Sequence, residues 1–169
     1  MSSTLFHCPF VIETITLKGY NNMLTENLAT LFERDILKIK TEILAYSDES
    51  KLWLTAEGVT NSGGNLCLHL LGNLQHYIGG ILGNSGYIRN RPLEFIQKNI
   101  PVSEMVATIE LTVQKVTQTI RLLSEENLAA NYPEKVFDYS MTTEYFLLHL
   151  LAHLNYHLGQ INYHRRLIG

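Results

Sequence analysis

Apolar residues recur at intervals of three or four positions along two long stretches of the chain, which is the period of one face of an α-helix. The first stretch predicts a helix from about Met23 to Ala45 or Tyr46. Its apolar positions are Leu24, Leu28, Phe32, Ile36, Ile39 and Ile43. The other stretch predicts a helix that begins near Pro101 or Ser103. Its apolar positions are Val106, Ile109, Val113, Val116, Ile120 and Leu123.

A third helix is predicted from about Ser62 to Leu82, with both of its ends marked by local signals. The side chain of Asn61 or Ser62 can cap its first turn by accepting hydrogen bonds from backbone N–H groups. Gly83 begins a turn-rich segment that stops it. Its core positions are predicted to be Leu66, Leu70, Leu74, Tyr77 and Ile81.

The last predicted helix runs from Met141 to Leu167 and is apolar almost all round. Thr142 or Thr143 is placed to cap its first turn. A helix that is apolar on every side needs more cover than three neighbouring helices usually provide. We therefore expect part of this helix to lie in a homodimer interface.

Four amphipathic helices without a strand-rich region or an internal repeat predict an all-α fold, a four-helix bundle. The bundle is expected to form one domain over residues 1–169, with residues 1–22 as an N-terminal arm. The segments Lys51–Gly64, Tyr87–Asn99 and Ser124–Ser140 are predicted to be connections.

The composition of the chain argues against a nucleic-acid-binding, secreted or membrane protein. The net charge is −3 and no basic stripe is present, so a nucleic-acid partner is not expected. Cys8 and Cys67 form neither a C-x-x-C pair nor a disulfide framework, which suits a reducing compartment. The chain shows no signal-peptide pattern and no apolar run of about 18 residues. We expect a cytoplasmic protein without a membrane partner.

The predicted last helix carries four of the seven histidines: His149, His153, His157 and His164. Histidines four residues apart share one helix face, and two such imidazoles can bind one divalent ion. His149 and His157 are about 12 Å apart along the axis, so only one adjacent pair can bind the same ion. Spacing alone leaves open whether the pair is 149/153 or 153/157, and whether His69 or His76 supplies a third ligand. Imidazoles hydrogen-bonded in a polar core are the alternative without a metal.

Three segments resemble motifs of the DinB/YfiT-like superfamily of metalloenzymes. The segment His153-Leu-Asn-Tyr-His157-Leu-Gly-Gln-Ile161 is similar to its final-helix signature, and His69-Leu-Leu-Gly-Asn73 to its second-helix motif. Arg89-Asn-Arg-Pro-Leu-Glu-Phe95 is similar to a segment of one branch. The resemblance implies an up-down-down-up four-helix bundle that often dimerises, with nickel or zinc held by His69, His153 and His157.

Three imidazoles leave a metal position open for water or a substrate atom. Residues expected to support the ligands are Asn73, His76, His149, Tyr156 and Gln160, and His164 is expected to be structural. Arg89 and Arg91 are candidates for contact with an anionic substrate, and Glu94 and Glu144 for a general base. No catalytic residue is assigned.

Relatives in the superfamily include thiol S-transferases, which conjugate low-molecular-weight thiols such as bacillithiol or mycothiol to electrophiles, and a maleylpyruvate isomerase. The resemblance implies a small-molecule substrate and activation of a thiol at the open metal position. A metal-dependent hydrolase is the first alternative. The second is a non-catalytic dimeric bundle whose histidines form a polar core.

Overall fold

A computed structural model describes residues 17–169, with side chains described from Met23 onward. Six α-helices are found in this part of the chain: α1 (Leu17–Leu44), α2 (Gly63–Leu74), α3 (Arg91–Ile96), α4 (Val102–Arg121), α5 (Glu125–Ala129) and α6 (Thr143–Ile168). A 3₁₀-helix spans Glu49–Trp53, and α2 continues directly into a π-helix at Gln75–Leu82. Residues 17–169 contain no β-strand. The all-α class is therefore confirmed.

Helices α2, α4 and α6 begin close to the positions that local signals predict. Ser62 caps α2 by accepting a hydrogen bond from the backbone N–H of Asn65, and Thr142 caps α6 in the same way through Tyr145. Helix α1 begins at Leu17, six residues before the predicted start, so the final part of the expected arm is helical. The rest of that arm, residues 1–16, lies outside the described residues.

At the end of the helix predicted over Ser62–Leu82, Tyr77 and Ile81 pack against the core as predicted but are only partly buried. Leu66, Leu70 and Leu74 are buried as expected, but the next buried side chain is Ile78 rather than Tyr77. The π-helix explains the difference, since its i to i+5 hydrogen bonds add a residue to the turn. One of these bonds joins the N–H of Gly83 to the carbonyl of Ile78 at 2.9 Å.

The long helices pack so that α2 and α6 lie against each other. Helix α1 contacts α4 and α6, and α2 contacts α4, α6 and the short α3. The fully buried side chains between them include Phe32, Ile36, Ile39, Leu70, Leu74, Ile109, Phe146 and Leu154. In the described part of the chain, no helix is long and apolar enough to cross a membrane. The packing of α2 on α6 places their histidine-bearing faces opposite each other.

A buried carboxylate joins α1 to α6. Asp35 is fully buried and accepts hydrogen bonds from Arg34, Lys38 and Asn155, the last of these on α6. Burial alone would raise the pKa of Asp35, but the hydrogen bonds from these three side chains outweigh it and lower the pKa to about 2. The carboxylate therefore stays ionised at neutral pH and stabilises the contact between the two helices.

Replacing Asp35 by asparagine is expected to lower the free energy of unfolding by about 2 kcal/mol at pH 7. A lowered folded-state pKa contributes stability above the unfolded value of 3.8 and loses it as the pH falls toward 2. The difference between wild type and Asp35→Asn should thus fall to roughly half at pH 3. Urea unfolding at pH 7, 5 and 3 measures it, with the exposed Asp138→Asn as control. A difference that does not change with pH would contradict the prediction.

Candidate metal centre

Three histidines meet between α2 and α6. His69, His153 and His157 each offer a nitrogen within 4.8 Å of the others. The imidazole centroids of His153 and His157 are 4.5 Å apart, and each lies 5.2 Å from that of His69. The Nε2 atoms of His69 and His153 are 3.4 Å apart. Two ligands on adjacent turns of α6 thus face a third on α2, close enough to hold one metal ion.

Glu94 determines which ring nitrogen of His69 carries the proton. The Nδ1 atom of His69 lies 2.9 Å from Glu94 Oε2, and an ionised carboxylate can only accept a hydrogen bond. A longer contact of 3.3 Å joins the same Nδ1 to Arg89 Nη2. The shorter contact decides the tautomer, in which Nδ1–H donates to Glu94. The Nε2 lone pair of His69 then faces the cluster, as in the carboxylate–histidine pairs that support metal ligands.

Arg89 holds Glu94 in its ionised form. The guanidinium donates from Nε to Oε1 at 2.7 Å and from Nη2 to Oε2 at 2.8 Å, a bidentate pair. Burial raises the pKa of Glu94, but hydrogen bonds from Arg89 and His69 outweigh it, and the net pKa is lowered. Glu94 therefore stays a hydrogen-bond acceptor for His69 and does not remove its Nδ1 proton.

His157 is oriented in a similar way by its own helix. Its Nδ1 lies 2.6 Å from Gln160 Oε1, three residues further along α6. Donation from Nδ1–H to the amide oxygen leaves the Nε2 lone pair of His157 free. Burial, opposed by the Gln160 hydrogen bond, lowers the pKa of His157. This imidazole therefore favours the neutral form that a metal ligand requires.

His153 completes a donor set that suits a divalent cation. Burial, and after it the neighbouring histidines and Arg89, lower its pKa to about 4, so it is neutral at pH 7. Its Nδ1 is buried and has no hydrogen-bond partner in the part of the chain that the structure describes. Without a metal ion, the Nε2–H group of His153 can donate to the Nε2 lone pair of His69 at 3.4 Å, and metal binding would release that proton. Three neutral imidazole nitrogens fit nickel or zinc.

Helix α3 positions Glu94, and Asn65 of α2 holds α3. The buried Asn65 amide donates to the carbonyl oxygens of Glu94 at 3.0 Å and Gln97 at 2.9 Å. On α2, Gly72 leaves the space that the Glu94 carboxylate occupies, because a Cβ at that position would collide with it. Sequence reasoning missed α3 and the role of Asn65. The signals that mark α3 are the Asn90 cap and the proline in its first turn.

Replacing Gly72 by alanine is expected to destabilise the protein by about 1–3 kcal/mol, since Glu94 must shift to admit the new methyl group. The matched control is Gly159→Ala on α6, where nothing lies within 4 Å of an added Cβ. That change should stabilise the protein by about 0.5–1 kcal/mol through helix propensity. Urea denaturation measures both variants. Equal effects of the two substitutions would contradict the proposed packing of Glu94 on Gly72.

The structure brings only some of the expected supporting residues to the cluster. Gln160 contacts His157 directly, and the Tyr156 ring lies 5.1 Å from the His157 ring. His149 is exposed, with its ring stacked on Phe146 and 6.5 Å from that of His153. His149 is not among the histidines whose nitrogens meet.

Other candidates lie away from the three histidines or are engaged elsewhere. His76 Nε2 is 3.1 Å from Glu134 Oε2. His164 is buried, with Nδ1 contacting the Tyr46 hydroxyl and Nε2 contacting the Leu54 carbonyl. His76 and His164 are therefore hydrogen-bonded to residues outside the three-histidine cluster.

The remaining candidates have distinct surroundings. Asn73 is buried, and within residues 23–169 its Oδ1 has no hydrogen-bond partner. Arg91 is exposed, with its guanidinium 5.4 Å from the Phe95 ring centroid, and Glu144 is half-buried in the first turn of α6. Burial raises the pKa of the Cys67 thiol to about 12, so Cys67 offers no thiolate as a fourth ligand.

Comparison with known protein sequences identifies the family of the chain. No curated protein sequence matches the chain. The profile of one family, described as "Protein of unknown function (DUF1572)", matches residues 20–169. The match spans α2, α6 and all three clustered histidines. The chain therefore belongs to the DUF1572 family.

Proposed function

We propose that this protein is a metal-dependent enzyme that activates a low-molecular-weight thiol for transfer to an electrophilic small molecule. The observation that carries the proposal is the cluster of His69, His153 and His157, whose donor atoms lie within 4.8 Å of one another. The motif resemblance to the DinB/YfiT-like superfamily, which includes thiol S-transferases, supports this choice of reaction.

The proposal extends to the architecture of the protein. We assign the chain to the DinB/YfiT-like superfamily, with α1, α2, α4 and α6 as an up-down-down-up bundle. The packing of α2 against both α4 and α6 supports it. A homodimer in the cytoplasm is part of the same proposal. Large side chains exposed on α6, among them Tyr145 and Leu148, support a second copy as partner.

The three histidines would hold nickel or zinc, and each has a defined task. His69 and His157 present Nε2 because Glu94 and Gln160 hold their Nδ1 protons. His153 is kept neutral by burial. A divalent metal bound to three imidazoles supplies Lewis acidity that lowers the pKa of a thiol or water at its open position.

The surroundings of the cluster favour a thiol over water as the nucleophile. Hydrolysis usually requires a general base beside the metal. Among residues 23–169, Glu94 is the carboxylate in hydrogen-bond contact with the cluster, and both of its oxygens are occupied by Arg89 or His69. A free thiol has a pKa of about 8.5, far below that of water at about 15.7, so it needs less help to ionise.

Metal analysis and a conjugation assay test the proposal. Protein purified without a histidine tag should contain about one equivalent of nickel or zinc per chain, and these metals should raise its Tm. The loaded protein should conjugate L-cysteine or bacillithiol to bromobimane faster than the His153→Ala variant does. Less than about 0.1 equivalent of metal with no thermal shift would contradict metal binding and favour a non-catalytic bundle. A loaded protein that hydrolyses esters but transfers no thiol would favour the hydrolase.

A further inference from the structure

A cavity of about 560 Å³ lies beside the metal centre. It is formed by the C-terminal half of α6, the loop that precedes α2, and Leu66 near the start of α2. Its volume is within the range of about 300–1,000 Å³ that small-molecule sites occupy in proteins. The cavity is therefore large enough for a compact organic molecule.

The cavity shares residues with the support of the metal ligands. Gln160 lines the cavity, and its Oε1 accepts a hydrogen bond from the Nδ1–H group of His157, with the two atoms 2.6 Å apart. Tyr156 lines it as well, with its ring 5.1 Å from that of His157. A molecule in the cavity would thus touch two residues that contact a proposed ligand. Because Gln160 and Tyr156 belong to both, we treat the cavity as a subsite next to the proposed metal centre.

Among the described residues, the lining of the cavity contains no aspartate, glutamate, lysine or arginine. Its apolar surface includes Leu66 and Leu167, and its polar groups are amides, hydroxyls and His164. Tyr156 and Tyr163 are 65% and 63% exposed, so their rings remain largely accessible to a bound molecule. An anionic ligand would lose water here without gaining an opposite charge, whereas a flat neutral ring can pack against phenol rings.

We propose that this cavity binds an uncharged, ring-bearing molecule, which is the acceptor electrophile of the thiol transfer. The assignment of the acceptor role rests on the proposed function. With bromobimane as acceptor, the thiol loses its proton to solvent and its sulfur forms a C–S bond with the bromomethyl carbon. The C–Br bond breaks with its electron pair leaving on bromide. Under this assignment the charged groups of a thiol such as bacillithiol lie outside the cavity.

Binding of an unreactive dye tests the cavity without any need for turnover. Dimethylbimane, a neutral bicyclic ring, is titrated by fluorescence into metal-loaded wild type and into Tyr163→Ala. Loss of the Tyr163 ring should weaken binding roughly five-fold, and Tyr163→Phe should retain it. The matched control is Tyr145→Ala, an exposed tyrosine of α6 outside the cavity, which should leave binding unchanged. Equal binding by all four proteins would overturn the proposal.

Reactive bimanes then separate this inference from the proposed function. The neutral bromobimane should be conjugated at least about ten-fold more efficiently than an analogue that carries a sulfonate, and so a negative charge, beside the same reacting group. If the efficiency of conjugation depends neither on this charge nor on Tyr163→Ala, the cavity is not the acceptor site. The proposed thiol-transfer function is then unaffected. Dye binding that depends on Tyr163, without any conjugation, supports the ligand class and overturns the thiol-transfer function.

Discussion

Replacing His153 by alanine is expected to lower the affinity for nickel and zinc more than about 100-fold, since even the loss of a group that only supports a ligand costs 10–100-fold. His153 contacts His69 across the α2–α6 contact and lies one helical turn from His157. Its removal leaves two imidazoles on different helices and no adjacent pair. The same loss is expected for His69→Ala and His157→Ala.

The stability of the metal-free protein should change far less than the affinity for metal. His153 has a buried Nδ1 without a partner among the described residues, and a buried polar group without a hydrogen bond is costly. Its replacement by alanine is therefore expected to destabilise the metal-free protein only slightly. Metal at about 100 times the Kd of wild type should add about 2.7 kcal/mol to the unfolding free energy of wild type and less than about 0.4 kcal/mol to that of the variant. Urea unfolding with and without metal measures both quantities.

Histidines outside the cluster supply the controls. His76→Ala and His149→Ala should keep the metal-dependent gain in stability, because neither contributes a nitrogen to the cluster. His164→Ala should lower stability through loss of its contacts with Tyr46 and Leu54 but should still bind metal. Loss of binding in His149→Ala together with retention in His157→Ala would instead identify the 149/153 pair as the ligands.

The parts of the structure that sequence predicts well are those that depend on residues close together in the chain. Five of the six apolar positions predicted for α1, beginning with Leu28, are buried to within 2% exposure. The spacing of four residues between His153 and His157 is enough to place their rings side by side on α6. The caps Ser62 and Thr142 act on backbone groups three residues away. Short-range geometry decides all of these features.

Features that depend on contacts between distant segments could not be derived from periodicity. The pattern of α2 left His69 and His76 as equal candidates, and only the family resemblance favoured His69. His69 faces α6, whereas the ring of His76 lies beside Glu134. The sequence does not reveal the π-helix at Gln75–Leu82. Gly79 and Gly80 within it have low helix propensity, which does not indicate that a turn contains one extra residue. Helix packing and the π-turn select the face that each histidine presents.

Glu94 shows how a connecting segment can conceal part of a site. The sequence suggested Glu94 as a general base, but the structure pairs it with both Arg89 and His69. This role depends on α3, which Asn65 anchors from a position 29 residues away in sequence. No local pattern reports a contact at that distance.

Breaking the buried pair of Arg89 and Glu94 should have the largest effect on stability. Their side chains are only 9% and 7% exposed, so Arg89→Met leaves a carboxylate that neither water nor a cation stabilises. Removal of one partner of a buried ion pair typically costs about 3–5 kcal/mol. The double variant Arg89→Met/Glu94→Gln removes both charges and should recover much of that loss. A double-mutant cycle in urea measures the coupling between the two side chains.

Metal affinity supplies a second measurement that separates the support of His69 from general stability. Glu94→Gln and the double variant should both bind nickel or zinc about 10–100-fold more weakly, because a neutral amide holds the Nδ1 proton of His69 less strongly than a carboxylate. The exposed bidentate pair of Arg121 with Glu26 is the matched control. Arg121→Met/Glu26→Gln should change neither stability nor metal affinity measurably, because both groups are solvated. If the double variant at the centre binds metal as tightly as wild type, Glu94 serves only to hold α3 against α2.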